Sequence, residues 1–406
     1  MKRAYERFLN YVKVDTKSDP NADTSPSTKK QFDLANLLVE ELKEIGIEDV
    51  SLDENCYIMG TLKGNVENAP TIGLIAHMDT SPDFSGKNVK AKIIENYDGK
   101  DIVLNKDLNI VMKVSDFPNL ENYKGHTMIT TDGTTLLGAD NKAGIAEILT
   151  IVEYFKNNPN EKHGDIKIGF TPDEEVGRGA DKFDVKKFDA DFAYTMDGAV
   201  LGEIEYENFN AASAEIVING VNIHPGEAKN KMKNSVLIGM ELNSMLPVDQ
   251  IPAFTEKYEG FFHLNDFVGT VEETKMLYII RDHDMNKFTK KKELIEEVCR
   301  FINYKYGENT AVLKLKDSYF NMKEKIVPII HIVESVIEAM KKVGVKPKVK
   351  AIRGGTDGAR LSFMGLPTPN VFTGGFNYHG KFEAISVHDM DKAIDVMIEV
   401  IKSYAK

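Results

Sequence analysis

The sequence predicts an α/β fold, a mixed sheet flanked by helices with a smaller α+β domain inserted into it. Three observations carry this expectation. Short apolar runs at residues 71–76 (TIGLIA), 165–171 (DIKIGFT) and 191–196 (DFAYTM) alternate with helical patterns, the order of an α/β chain. Near residue 210 the strands change character and alternate polar with apolar positions, as half-buried antiparallel strands do. Residues 326–343 and 389–405 then return to long amphipathic helices. The expected organisation is one domain in two parts, residues 1–210 and 321–406, interrupted by a domain over 211–320.

The chain opens with an amphipathic helix, MKRAYERFLNYVKV, which lacks the unbroken apolar core and small-residue cleavage site of a signal peptide. Residues 27–46 read as a helix with Ser27 or Thr28 as cap, a buried stripe of Leu34, Leu37, Leu38 and Leu42, and Gly46 as stop. Residues 56–62 alternate towards a strand, and 71–76 form a strand apolar enough to be buried on both faces. Residues 83–135 are polar and turn-rich with short β segments, an elaboration on the core. A helical pattern follows Asp140, with Ile145, Ile148, Leu149 and Val152 on one face. Beyond residue 210, strands at 213–219, 258–280 and 310–316 enclose helices at 234–245 and 286–304. Gly-rich turns occupy 353–358 and 374–380.

The chain has 406 residues, 42% hydrophobic and 28% charged, an ordinary globular composition long enough to bury a large core without disulfides. Its two cysteines, Cys56 and Cys299, form no CxxC pattern, which points to a reducing cytoplasm. A formal charge of −12 excludes the broad basic footprint of a nucleic-acid binder. No run of about 18 apolar residues is present to cross a membrane. The glycines at 177–179 and 353–358 match neither dinucleotide nor phosphate-loop spacing.

The chemistry lies where apolar strands end. The first ends in His77 and Asp79, the second in Glu174 and Glu175, the third in Asp197. In an open parallel sheet, ligands bind beyond the carboxyl ends of the strands, so these groups converge. His77 and Asp79, two apart in extended chain, lean to one side. A carboxylate beside a histidine holds the tautomer that leaves the other nitrogen free for a metal. Glu174 and Glu175, if extended, point to opposite sides, one to a metal and one to a water, a division that suits hydrolysis. Asp140 alone reads as a helix N-cap. Burying several carboxylates without countercharge is prohibitive, so the cluster implies a cation.

On these residues the chain resembles the dinuclear zinc exopeptidases of the carboxypeptidase G and aminoacylase type, and within them a tripeptide-aminopeptidase branch. The segments that carry the likeness include GLIAHMDTSPDFSGKNVK (73–90), LLGADNKAGIAEI (136–148), TPDEEVGRGADKFDV (171–185), FDADFAYTMDG (188–198), NIHPGEAK (222–229), RGGTDGARLSFMGLPTPN (353–370) and FTGGFNYHGKFE (372–383), collinear over nearly the whole chain. The branch departs only slightly here, at Ala199, Glu227, Asn230 and Lys231, which bear on substrate preference.

The resemblance implies a zinc-exopeptidase-like catalytic domain with the insertion as a lid. It implies two Zn²⁺ per subunit, with Co²⁺ or Mn²⁺ as substitutes. His77 and Asp197 would bind one ion, Glu175 and His379 the other, and Asp140 would bridge both. Asp79 would orient His77, and Glu174 would be the general base. His224 of the lid would stabilise the oxyanion, and the peptide after Asp140 would be cis. Arg281 and Arg353 are candidates for the substrate carboxylate, since guanidinium forks match carboxylates; the competing reading for Arg281 is an ion pair with Asp282 or Asp284. Asn222 is a further substrate-contact candidate. The implied reaction is release of the N-terminal residue from short peptides, tripeptides foremost. A dipeptidase or N-acyl-amino-acid deacylase shares the metal residues, and a catalytically silent peptide-binding protein is the rival of another class; an intact Glu174 argues against that last reading. An exposed edge strand on the lid is compatible with a homodimer as well as a monomer.

Overall fold

A computed structural model describes residues 3–405. The main sheet has eight strands, in the order Ser51–Leu52, Ile58–Leu62, Ile166–Thr171, Ile72–His77, Phe192–Gly198, Asn370–Phe372, Glu203–Asn208 and Lys348–Ile352. Its middle is parallel: Ile72–His77 pairs in parallel with both Ile166–Thr171 and Phe192–Gly198, and Asn370–Phe372 continues in parallel beyond. Antiparallel strands flank this block, so the sheet is mixed. Every residue of Ile72–His77 is buried, as expected of a strand with covering on both faces. Parallel register brings His77 opposite Thr171, so His77, the turn after Thr171 and Asp197 emerge at one end of the sheet.

The helix Ala139–Asn157 packs on the central strands, and Val387–Tyr404 packs on that helix in turn. Close approach depends on Gly144, where an added Cβ would stand 2.0 Å from the Met196 carbonyl oxygen. Helix Gln31–Ile45 starts later than its sequence suggests and ends on Gly46 at φ 94°. Ser27 does not cap it, because its N–H and hydroxyl both donate to Asp173, at 2.7 and 2.5 Å. Residues 326–343 do not form one helix. Pro328 lies in a 3₁₀ turn, and the regular helix runs from His331 to Lys342.

Residues 83–135 fold back as small antiparallel sheets over a cluster that includes Tyr97, Leu104, Met112 and Tyr123. Here Met128–Thr130 pairs with Ala384–Ser386. This pairing brings the loop before Asp140 beside the loop that holds His379.

The chain divides into two compact units. The first comprises residues 1–206, 324–350 and 356–406; the second comprises 207–323 and 351–355. The second unit has a four-stranded antiparallel sheet, in the order Phe261–Gly269, Glu273–Asp282, Asn210–Asn219 and Ala311–Tyr319. Helices Ser235–Ser244 and Met285–Tyr306 pack on it around Ile216, Ile238, Tyr278 and Phe288. Residues 351–355 are held there by Arg353, whose guanidinium donates to the carbonyls of Thr255, Lys257 and Glu259. No helix among the described residues is long and apolar enough to cross a membrane.

Candidate metal centre

The centre is built outward from His77. Its strand ends with the ring buried, 2% exposed. Nδ1 lies 3.1 Å from the Asp79 carbonyl oxygen and 3.3 Å from its carboxylate. A proton held there leaves the Nε2 lone pair for a cation. Nε2 faces Asp140 Oδ1 at 2.9 Å and Asp197 Oδ1 at 3.4 Å.

Asp140 is not the cap of its helix. Asp140 and Asn141 have non-helical dihedrals, the peptide between them is cis, and Gly138 turns the chain with φ 82°. The capping role falls to Asn141, whose Oδ1 accepts the Gly144 N–H at 3.2 Å. Freed from that task, the Asp140 carboxylate spans two histidines, with Oδ2 3.1 Å from His379 Nε2. A second carboxylate holds this turn from behind. Glu383 accepts the N–H groups of Leu137 at 2.7 Å, Gly138 at 2.9 Å and Asp140 at 3.1 Å.

Glu174 and Glu175 stand in a 3₁₀ turn and not in extended chain, so the alternation expected of their side chains does not apply. Asp173 before them takes φ 57°, held by Ser27 and by Gln31 Nε2 at 2.7 Å. Asp79 then accepts both following N–H groups, Glu174 at 3.0 Å and Glu175 at 3.2 Å. Glu175 reaches His379 Nε2 at 3.0 Å with one oxygen, while its Oε1 is buried without a hydrogen-bond partner among the described residues. Asp197 is set by Asn370, whose Oδ1 accepts the Asp197 N–H at 3.1 Å and whose amide donates to Glu205 at 2.8 Å. His379 adopts φ 65° and is the most open member of the group; its Nδ1 lies 3.5 Å from Asp83.

The electrostatics are those of a polyanion in a poorly solvated place. Burial raises the Glu175 carboxyl to about 8, with the Asp140 charge adding to it. Burial raises Asp197 to about 6 and pushes Glu174 well above the carboxylate range. Burial opposes ionisation of Asp140 too, yet the bonds from His379 and His77 win and hold it low. His77 is raised well above its usual value: burial acts against this, but Asp197 and Asp140 outweigh it. Bonds to Asp140 and Glu175 raise His379 to about 11.

These side chains form two overlapping sets of ligand atoms, His77–Asp140–Asp197 and Asp140–Glu175–His379, each set within 4.8 Å, with Asp140 common to both. Imidazole and carboxylate donors without thiolate, an unpaired buried Glu175 oxygen and excess negative charge all fit divalent cations.

Of the residues expected at a site, seven come together: His77, Asp79, Asp140, Glu174, Glu175, Asp197 and His379. The other four belong to the second unit. His224 and Asn222 are exposed there, and His224 Nδ1 accepts the Gly226 N–H at 3.2 Å. Arg281 makes no ion pair with its acidic neighbours. Asp284 caps the helix Met285–Tyr306 and Asp282 lies 3.7 Å from Lys291. The Arg281 guanidinium donates to the Ala212 and Ile280 carbonyls and lies over the Tyr319 ring. Arg353 is committed to the carbonyls of its own unit.

Sequence reasoning missed Glu383, Asn370, Asp173 and Asp357. Asp357 is buried, accepts the Thr171 hydroxyl at 2.8 Å and is raised to about 7 by burial. Each missed residue lies within a motif already singled out, so the signal available was an acid or amide beside a strand-end group.

Residues 130–403 match the model of peptidase family M20/M25/M40. A peptidase T from Alkaliphilus oremlandii is 62% identical over 409 residues, covering 100% of both chains. Among solved structures, the aminopeptidase PepT of Bacillus cereus aligns with TM-score 0.78 at 23% identity, over 100% of this chain and 98% of that one. A tripeptidase of Staphylococcus aureus aligns with TM-score 0.78 at 23% identity, over 99% and 98%. The chain belongs to peptidase family M20/M25/M40, in the branch of its peptidase T relatives.

Proposed function

We propose that this protein is a metal-dependent aminopeptidase that releases the N-terminal residue of short peptides, tripeptides foremost, as part of cytoplasmic peptide catabolism. The observation that carries the reading is the Asp140 carboxylate, one oxygen 2.9 Å from His77 and the other 3.1 Å from His379. Membership of the peptidase family and the likeness to peptidase T and tripeptidase relatives support the substrate class.

In this reading His77 and Asp197 would hold one Zn²⁺, Glu175 and His379 would hold the other, and Asp140 would serve both. The chemistry such a pair of ions would supply is acidification of a water and polarisation of the scissile carbonyl. Glu174 takes the proton of the attacking water on its carboxylate and returns it to the leaving amine. Burial, which raises the Glu174 pKa, suits a group that must hold that proton between the two transfers. Asp79 keeps the His77 ring and the Glu174 turn in place. His224, exposed on the second unit, is assigned to the oxyanion. Arg281 is a better candidate than Arg353 for the substrate carboxylate, because no carboxylate pairs with it among the described residues and Arg353 already serves four acceptors. Asn222 is a further contact.

Assay of Ala-Ala-Ala, Ala-Ala and N-acetyl-Ala-Ala-Ala tests this directly. Cleavage of the free tripeptide, lost with chelator and restored with Zn²⁺, is expected. Faster cleavage of the acetylated peptide would overturn the aminopeptidase reading. Glu174→Gln is expected to keep its metal and lose about 10²–10⁴-fold in kcat, the usual contribution of a general base. Retained turnover in that variant would remove Glu174 from its role.

A further inference from the structure

A second group of metal-ligating side chains lies outside the Asp140 centre and shares no residue with it. His126 precedes the strand Met128–Thr130, and His388 and Asp389 open the helix Val387–Tyr404. Met128 pairs with Ser386, so sheet register brings His126 to the start of that helix. Each of the three residues offers one ligand atom, and the three atoms lie within 4.8 Å of one another. The imidazole rings of His126 and His388 are 4.7 Å apart and inclined at 51°, so they are not stacked face to face. His126 Nδ1 is 3.8 Å from Asp389 Oδ1 and 2.9 Å from Ser386 Oγ.

The independent observation is Asp389. Its side chain is buried, 1% exposed, and the Oδ1 atom that faces His126 has no hydrogen-bond partner among the described residues. The helix does not use this carboxylate as a cap, since Ser386 Oγ accepts the Asp389 N–H at 3.2 Å. A buried carboxylate oxygen left unpaired carries the full cost of its desolvation. A cation shared with two imidazoles removes that cost. A cavity of about 520 Å³ adjoins the two histidines and leaves room for water to complete a coordination shell. Arg3 and Lys124 line the same cavity, with Glu95 and Asp391. Arg3 is already paired with Asp391 at 2.7 Å, which limits its repulsion. Two imidazoles and one carboxylate suit a first-row divalent ion and not Mg²⁺ or Ca²⁺.

We propose that His126, His388 and Asp389 form a further cation site, for a divalent ion of the Zn²⁺ class. The test uses the full chain, stripped with chelator, loaded with Zn²⁺ and dialysed before the metal is counted. The wild type is expected to hold one equivalent more than His388→Ala and one more than His126→Ala. His388→Cys, which keeps a ligand, should keep that equivalent. Loaded wild type and variants should hydrolyse Ala-Ala-Ala at equal rates, since neither histidine belongs to the Asp140 centre. The same difference should persist on an Asp140→Ala background, so it can be read even if the Asp140 centre binds no metal. Equal metal content in wild type, His126→Ala and His388→Ala would overturn the proposal.

Discussion

Asp79 accepts the main-chain N–H of Glu174 at 3.0 Å while the same oxygen lies 3.3 Å from His77 Nδ1. One buried carboxylate therefore sets both a candidate metal ligand and the candidate base. Asp79→Asn leaves a single oxygen acceptor and places an amide where an N–H must be accepted. Loss of such a supporting carboxylate is expected to cost about 10–100-fold in metal affinity or kcat, with KM nearly unchanged. Activity and metal affinity both at wild-type level would show that the contact positions nothing.

Glu383 supports Asp140 from the other side through three main-chain N–H groups. Glu383→Gln loses one of the two accepting oxygens and leaves a buried N–H unpaired, a cost of about 1–3 kcal/mol in stability. Because the released turn carries Asp140, competition with a chelator should show weaker metal binding as well. A fall in thermal midpoint with unaltered metal affinity would restrict Glu383 to holding the fold.

Gly144 lets the helix after Asp140 lie against the strand that carries Asp197. A Cβ there would stand 2.0 Å from the Met196 carbonyl oxygen and 2.5 Å from Asn141 Oδ1. Both neighbours are constrained, one by its strand and one as the cap of the helix. Gly144→Ala is expected to destabilise the protein by about 1–3 kcal/mol, as overpacked interiors do, and chemical denaturation would measure it. An unchanged midpoint would mean that helix and strand separate freely.

Glu147 lies on the same helix, fully buried, with neither carboxylate oxygen hydrogen-bonded among the described residues. Burial, and then the charge of Asp391, raise its pKa well above the usual carboxylate value. The folded chain therefore holds this proton more tightly than the unfolded chain does. Stability is lost as pH rises from the unfolded carboxylate value, about 4.3, towards the raised folded one. Glu147→Gln removes the titration. Its thermal midpoint should exceed that of the wild type more at pH 8 than at pH 5, whereas a constant difference would place the proton elsewhere.

The strand-end chemistry is legible in the sequence because the apolar runs before His77, Glu174 and Asp197 specify strands buried on both faces. A strand so buried must deliver its next polar residues to the end of the sheet. The irregular parts are less legible. Asp140 is ambiguous because aspartate before a helical pattern is ordinarily a cap, and only the structure assigns capping to Asn141. Ser27 misleads for a related reason: a hydroxyl before a helix can cap it, but this one is taken by Asp173, a partner 146 residues away. Glu174 and Glu175 read as extended because nothing local announces that Asp79 accepts both of their N–H groups.

The sequence by itself determined the α/β order, the residue types of the candidate site and, through collinear motifs, the family. Periodicity and residue chemistry are local, and these properties follow from them. Tertiary structure alone decided which oxygen of Asp140 meets which histidine, that Glu383 clasps the turn before it, and that His126 meets His388 and Asp389. Those relations join residues 63 or more positions apart. They depend on strand register and helix approach, which no short stretch of sequence encodes.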